Sequence, residues 1–413
     1  MPSKHAAWAL ILVLSPAQAQ NLARDSQPPE DTAATQLTDD SYTRYELLVP
    51  GSAKFRILYW VSATDAGATK YFNPIRKGSR ASDERVTDLA TGKPLPFRIV
   101  PGTAARAAGS KNADPEGEYV QVTLARPVPK GGEGRILIDK TYEDAKSYFV
   151  EGDTIVFSRP LGIDRNAVVL PAGYRLTYSS MPAQVLQERD GRIKVSFIDV
   201  SPAQSPLVIK ARPAAVASGP SSVPAARLDE RAAQTREIVY YLQQPETHRF
   251  DLSHDYTETK AGVGTYVNVV RAGSSVADPG GMVLDTGAPL RHKVLRGAAI
   301  TRAAPDTKDV TPETEAVVFS FPPVPRGGST RIRITETYTD PERYKMVGDE
   351  LVWDRTFGRA ANAVVLPAGW ALTNSSAPAI TSELPDGRVR LDFLNPRTDE
   401  LQVLITARRI VSR

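Results

Sequence analysis

The feature that most constrains this chain is its likeness to itself. Residues 152–212 align without a gap on residues 348–408, and about 26 of the 61 positions are identical. Asn166 to Gly173 and Asn362 to Gly369 agree at every position. The match runs upstream at the same offset through Gly131-Gly132, Arg135, Tyr142, Asp144 and Tyr148, set against Gly327-Gly328, Arg331, Tyr338, Asp340 and Tyr344. Farther upstream the offset drops by one, where Tyr71, Asn73, Arg76 and Asp83 meet Tyr266, Asn268, Arg271 and Asp278. A period this long exceeds the roughly 20–50 residues of a solenoid unit, so the repeat is a duplicated domain. The copies span residues 42–212 and 236–413, each long enough for its own core. Residues 213–235, with Pro213, Pro220 and Pro224 among Ala and Ser, read as a semi-extended linker.

Within each copy the hydrophobic period is two. Phe55, Ile57, Tyr59 and Val61 alternate with Lys54, Arg56, Leu58 and Trp60, and turn signals such as Thr91-Gly92, Lys130-Gly131-Gly132 and Asp190-Gly191 recur along the copy. Short alternating runs bounded by such turns predict an all-β fold: tandem antiparallel β-sandwiches of about ten to twelve strands each, as one large sandwich or two stacked smaller ones. The best helix candidate is residues 228–243, where Ala, Arg and Glu cluster, although Ile238, Val239, Tyr240 and Tyr241 favour a strand at its end.

The N-terminus carries an address. Lys4 and His5 precede an apolar run, Ala6 to Leu14, too short to span a bilayer, and Ala17-Gln18-Ala19 forms a cleavage site. Residues 1–19 are therefore expected to be a Sec-type signal peptide cut between Ala19 and Gln20, with no cysteine at the junction to carry a lipid. Residues 20–41, one Arg against five acids, are expected to form a disordered acidic leader. The product is expected in the bacterial periplasm or outside the cell, with no transmembrane anchor.

Composition removes several chemistries. The chain has no cysteine, which excludes disulfides, thiolate metal sites and a Cys nucleophile. Of four histidines, His248 and His254 share strand parity and could mimic a ligand pair, yet their repeat counterparts are Ala53 and Tyr59, and His292 falls opposite Phe97. Packing positions are the better reading, and no metal or cofactor is expected. There is no G-x-S-x-G, Walker or dinucleotide motif, and the pairs Ser179-Ser180 and Ser375-Ser376 precede prolines, as at strand ends. Gly131-Gly132 and Gly327-Gly328 read as hairpin turns rather than anion nests. No catalytic residue is assigned.

Retained polar and aromatic residues are the candidates for binding: Asn73 with Arg76, Asn268 with Arg271, and the tyrosines Tyr142, Tyr148, Tyr338 and Tyr344. Tyrosines beside acids such as Glu143-Asp144 could suit a glycan or a carboxylate-dependent hydrolase. The net charge of +4 conceals +7 in the first copy (25 basic, 18 acidic), 0 in the second (22 and 22) and −4 in the leader. The expected partners are an envelope protein or an anionic or neutral polysaccharide, and nucleic acid is not among them. Taken together, the sequence favours an exported, non-catalytic binding or structural protein of the cell envelope, with a carbohydrate-binding module or glycan hydrolase as the alternative.

Overall fold

The computed structural model describes residues 42–199, 205–214 and 228–411. The expected signal peptide (1–19), the expected leader (20–41) and most of the expected linker (213–235) lie outside the described residues.

The first copy forms fifteen strands. They are β1 (Tyr42–Leu47), β2 (Lys54–Ala63), β3 (Lys70–Ile75), β4 (Arg80–Asp88), β5 (Lys93–Pro94), β6 (Phe97–Pro101), β7 (Glu118–Thr123), β8 (Gly134–Glu143), β9 (Tyr148–Glu151), β10 (Thr154–Leu161), β11 (Arg165–Val169), β12 (Tyr174–Ser179), β13 (Gln184–Gln187), β14 (Ile193–Ile198) and β15 (Ser205–Pro213). Eight of them make one long sheet in the order β13-β14-β11-β1-β2-β8-β4-β5. Two smaller sheets accompany it, β3-β7-β6 and β12-β15-β10-β9.

The second copy repeats the plan. Its strands are β16 (Glu237–Leu242), β17 (Arg249–Glu258), β18 (Thr265–Val269), β19 (Ser275–Val283), β20 (Ala288–Pro289), β21 (Arg291–Arg296), β22 (Glu315–Ser320), β23 (Thr330–Thr339), β24 (Tyr344–Val347), β25 (Glu350–Phe357), β26 (Ala361–Val365), β27 (Trp370–Ser375), β28 (Ile380–Glu383), β29 (Val389–Leu394) and β30 (Leu401–Arg409). The long sheet runs β20-β19-β23-β17-β16-β26-β29-β28, beside β18-β22-β21 and β24-β25-β30-β27. The core divides accordingly. Val283, Phe319, Ile332 and Ile334 close one cluster under the three-stranded sheet, and Tyr240, Phe250, Trp353 and Phe393 another under the four-stranded one. The second copy is thus two smaller sandwiches on one continuous sheet, whereas in the first copy a single core cluster runs from Ile75 and Val122 to Phe157 and Ile209.

The pairing is antiparallel except at one place per copy, where β1 runs parallel to β11 and β16 to β26. This explains the segment identical in both copies. β11 and β26 are central strands buried along their whole length, which is why Ala-Val-Val-Leu runs apolar without alternation. Residues 228–236 are not helical, and 237–242 form β16, because the β-branched and tyrosine side chains suit a central strand. Among the described residues two short α-helices occur instead, α1 (Gly102–Ala107) and α2 (Ala298–Ala303). Asp83 and Asp278 recur because both take positive φ at a bulge in β4 and β19.

The copies meet through an exchange of turns. The Glu133 N–H donates to Leu284 O (2.8 Å) and the Ser329 N–H donates to Leu89 O (2.9 Å). Leu89 and Leu284 occupy equivalent places in the two copies, as do Glu133 and Ser329. The retained Gly-Gly pairs form turns as expected, with Gly131 and Gly327 at positive φ, while Gly132 and Gly328 abut the backbone of the other copy. A Cβ on Gly328 would stand 2.4 Å from Ala90 O, and one on Gly132 2.4 Å from Leu284 O. Gly328→Ala is therefore expected to cost roughly 1–3 kcal/mol through overpacking, read as a lower urea midpoint; an unchanged midpoint would show that the contact is not tight.

Buried charge reinforces the junction. Arg135 grips Asp285 with two hydrogen bonds (2.7 and 2.9 Å) and reaches Ser329, with only 3% and 4% of the two side chains exposed. Arg331 lies 3.5 Å from Glu133 and donates to Thr235 O and Thr257. The described end of the linker is laced in as well: Glu230 accepts from Tyr42 and Ser196, while Arg231 donates to Asn395 O and Gly358 O.

Candidate functional site

Strand alternation places a charged residue at the inward parity of one strand per copy. In β23 the inward residues are Ile332, Ile334, Glu336 and Tyr338; the first two belong to one core cluster and Tyr338 to the other. Glu336 therefore stands at the seam where the two sandwiches meet. Its equivalent in β8, between Ile138 and Tyr142, is Lys140. A charge at an inward position of an otherwise apolar strand was the legible signal for this seam, and residue type alone did not single it out.

In the second copy the seam opens into a cleft of about 180 Å³. Its floor comes from the long sheet, with Tyr240 on β16, Phe250, Leu252 and His254 on β17, and Tyr338 on β23. One wall is Tyr266 and Asn268 on β18 with Arg271 just after it; the other is Arg355 on β25 with Arg359 in the following loop. Three expected residues, Asn268, Arg271 and Tyr338, are thus brought together. Asn268 Nδ2 donates to Glu336 and to the Tyr338 hydroxyl (3.1 Å), and that hydroxyl donates to Glu336 Oε2 (3.2 Å). Burial pushes the Glu336 carboxyl up to about 7 against these bonds.

The cations of the cleft differ in their commitments. Arg355 is held by Asp340 (3.3 Å) and by the faces of Phe250, Trp353 and Tyr240. Arg271 and Arg359 form no ion pair with any described residue. Burial and the neighbouring Arg236 push Arg359 down, and burial with the charges of Arg236 and Arg359 takes His254 to about 3, so its imidazole is neutral at physiological pH. Two buried atoms of the cleft lining, His254 Nε2 and Arg355 Nε, have no hydrogen-bond partner among the described residues, and neither does Glu336 Oε1 behind Asn268.

The first copy holds the same frame with different chemistry. Lys140 Nζ donates to Asn73, the Arg76 N–H donates to the Tyr142 hydroxyl (3.3 Å) and the Arg76 side chain reaches Pro160 O. Burial, then Arg159, pushes Lys140 down to about 7. Tyr59 stands where the second copy has His254, and its hydroxyl lies 3.4 Å from that of Tyr71 across the seam. Ile163 stands where the second copy has Arg359.

The remaining candidates sit elsewhere. Tyr148 and Tyr344 are fully buried, and their hydroxyls donate to Leu48 O and Gln243 O, pinning a hairpin to the preceding loop. Neither ring can stack on a sugar without unfolding that corner. Of the pair Glu143-Asp144, Asp144 turns inward to accept from Ser79 and Ser147 and to meet Arg159, whereas Glu143 faces Lys54 and Arg80 outside. Asn166 and Asn362 donate to the carbonyls of Ile163 and Arg359. His248 takes positive φ as Ala53 does, with Nδ1 2.9 Å from Tyr344 O, and the exposed His292 lies against Phe319.

No protein-family model matches the chain, and no curated protein matches it. Solved structures resemble it in part. The collagen adhesin of S. aureus aligns at 8% identity and TM-score 0.15, over 78% of this chain and 88% of that one. The collagen binding domain of an Erysipelothrix rhusiopathiae surface protein aligns at 10% identity and TM-score 0.14, over 91% and 99%. A Legionella pneumophila structure provisionally assigned as a nutrient binding protein gives 10% identity and TM-score 0.24, over 41% of this chain and 65% of that one. With scores this low, function is argued from the residues themselves.

Proposed function

We propose that the chain is an exported, non-catalytic binding protein of the bacterial cell envelope, with two copies of one β-domain, residues 42–212 and 236–413, held as a unit. The seam cleft of the second copy is its ligand site. The observation that carries this reading is the pair of buried polar atoms without partners, His254 Nε2 and Arg355 Nε, in the lining of an open cleft that Arg271 and Arg359 also line, since a buried polar group left unbonded costs about 1–3 kcal/mol. A ligand that satisfies them recovers that cost on binding. Export rests on the N-terminal sequence, which has the charge, apolar run and cleavage site of a signal peptide. Among the described residues no helix is long and apolar enough to cross a membrane.

Binding is favoured over hydrolysis by the polar groups themselves. No lining residue of the cleft is a carboxylate, and Glu336 lies behind Asn268 and Tyr338, which bond its carboxyl. The serine pairs are tied to backbone: Ser179 Oγ donates to Met181 O, and Ser375 Oγ to Ala377 O.

The first copy supplies the test. His254→Tyr installs the residue that bridges the equivalent seam at Tyr59 and should fill the cleft without loss of folding. The mature wild-type chain is expected to be retained on immobilised envelope polysaccharide or protein fractions, and His254→Tyr to lose most of that retention at an unchanged melting temperature. Turnover of a glycoside, ester or peptide panel, abolished by Glu336→Gln, would overturn the reading.

A further inference from the structure

Resting on that reading, we propose that the cleft of the second copy is a receptor for a sugar acid: a monosaccharide-sized, hydroxylated ligand whose carboxylate lies between Arg271 and Arg359 and whose hydroxyls meet the groups at the seam. Several observations lead to this class. Arg271 and Arg359 line the cleft with no acidic partner, whereas Arg355 is already committed to Asp340. A guanidinium presents a planar fork of donors that matches a carboxylate. Arg355 Nε adds a buried donor that lacks an acceptor.

A second requirement comes from His254 Nε2, a buried atom of the cleft lining without a partner. A bare anion such as phosphate or acetate satisfies the arginines and leaves the imidazole and the aromatic surfaces unmet. A neutral sugar meets His254 and leaves the arginines unmet. A carboxylate with hydroxyls on the same body answers both, and the neutral His254 can take either role toward a hydroxyl. The aromatic surfaces of Tyr240, Phe250 and Tyr266 suit the apolar face of a sugar ring. At about 180 Å³ the cleft holds one small unit, well below the roughly 300–1,000 Å³ of sites for larger ligands. The first copy, with Ile163 for Arg359, Tyr59 for His254 and Lys140 for Glu336, lacks this complement.

The mature full chain would be titrated calorimetrically with glucuronate and galacturonate, with glucose, acetate and inorganic phosphate as controls. At least one uronate is expected to bind roughly tenfold more tightly than any control, the difference expected for losing a hydrogen bond to a charged group. Arg359→Ile, which installs the first copy's own residue, and Arg271→Ala should each weaken the uronate by roughly tenfold or more with the melting temperature unchanged. Ile163→Arg, the reverse change in the first copy, should leave affinity as it was. The proposal falls if glucose or phosphate binds as well as the uronates, or if Arg359→Ile binds like the wild type. Uronates that fail while envelope fractions still retain the chain through the cleft would overturn this ligand class and leave the binding reading standing; loss of both would overturn both.

Discussion

Asp285→Ala is expected to destabilise the protein by about 3–5 kcal/mol, the cost of leaving a buried charge without its partner. Alanine fits the backbone there, since the equivalent residue of the first copy is Ala90, so the loss isolates the electrostatics of the junction. Arg135, with 3% of its side chain exposed, would keep only Ser329, and the Arg331 N–H would lose its acceptor on Asp285. Urea unfolding measures the effect. Pairing the change with Arg135→Met should recover much of the loss, because removing both charges also removes the desolvation cost. A shift below about 1 kcal/mol for the single variant would mean that water reaches the pair and that it holds nothing together.

The second large effect is a dip in stability near neutral pH, produced by opposite charges at equivalent places. Glu336 is raised from 4.5 to about 7, so the folded chain keeps a proton that the unfolded chain has lost between those values. Stability therefore falls as pH rises through that window, and a penalty of roughly 3 kcal/mol persists above it. Lys140 is lowered from 10.5 to about 7, so between those values the unfolded chain holds the extra proton. Stability rises with pH there, and the penalty is complete below about 7. The two penalties coincide around neutrality. Urea midpoints at about pH 5, 7 and 9 should show the dip, with Glu336→Gln removing its acid side and Lys140→Met its alkaline side. If wild type and Glu336→Gln run parallel from about pH 5 to 8, the carboxyl is not buried as described.

Particular residues show why the fold was legible and much of the site was not. Phe55-Ile57-Tyr59-Val61 announces a strand with one buried face, and the duplication fixes two copies of whatever such strands build. Alternation does not say which strand lies beside which, so the parallel insertion of β1 between β11 and β2 left only an indirect trace in the apolar run Ala-Val-Val-Leu. Fifteen strands formed where ten to twelve were expected because pieces as short as Lys93–Pro94 and Ala288–Pro289 carry no period. Asn268, Arg271 and Tyr338 could be picked by retention between the copies. Arg359, Glu336 and His254 could not, because each differs from its counterpart, and the divergence that hides them from a repeat comparison is what equips the second cleft. Tyr148 and Tyr344 were retained for the opposite reason, as buried struts.

The exchange of turns between the copies has the form of an isologous interface, the contact of a two-fold homodimer in which each partner offers the same patch. A single copy carries both halves of that contact, so the chain is organised as a dimer written into one polypeptide. Tethering replaces free association by an effective concentration in the millimolar range for a short connection, and a modest patch is then enough to hold the pair closed. Fusion also releases the partners from being identical. Asp285 facing Arg135 where the first copy has only Ala90, and Glu336 where the first copy has Lys140, are differences that no homodimer of a single sequence could carry.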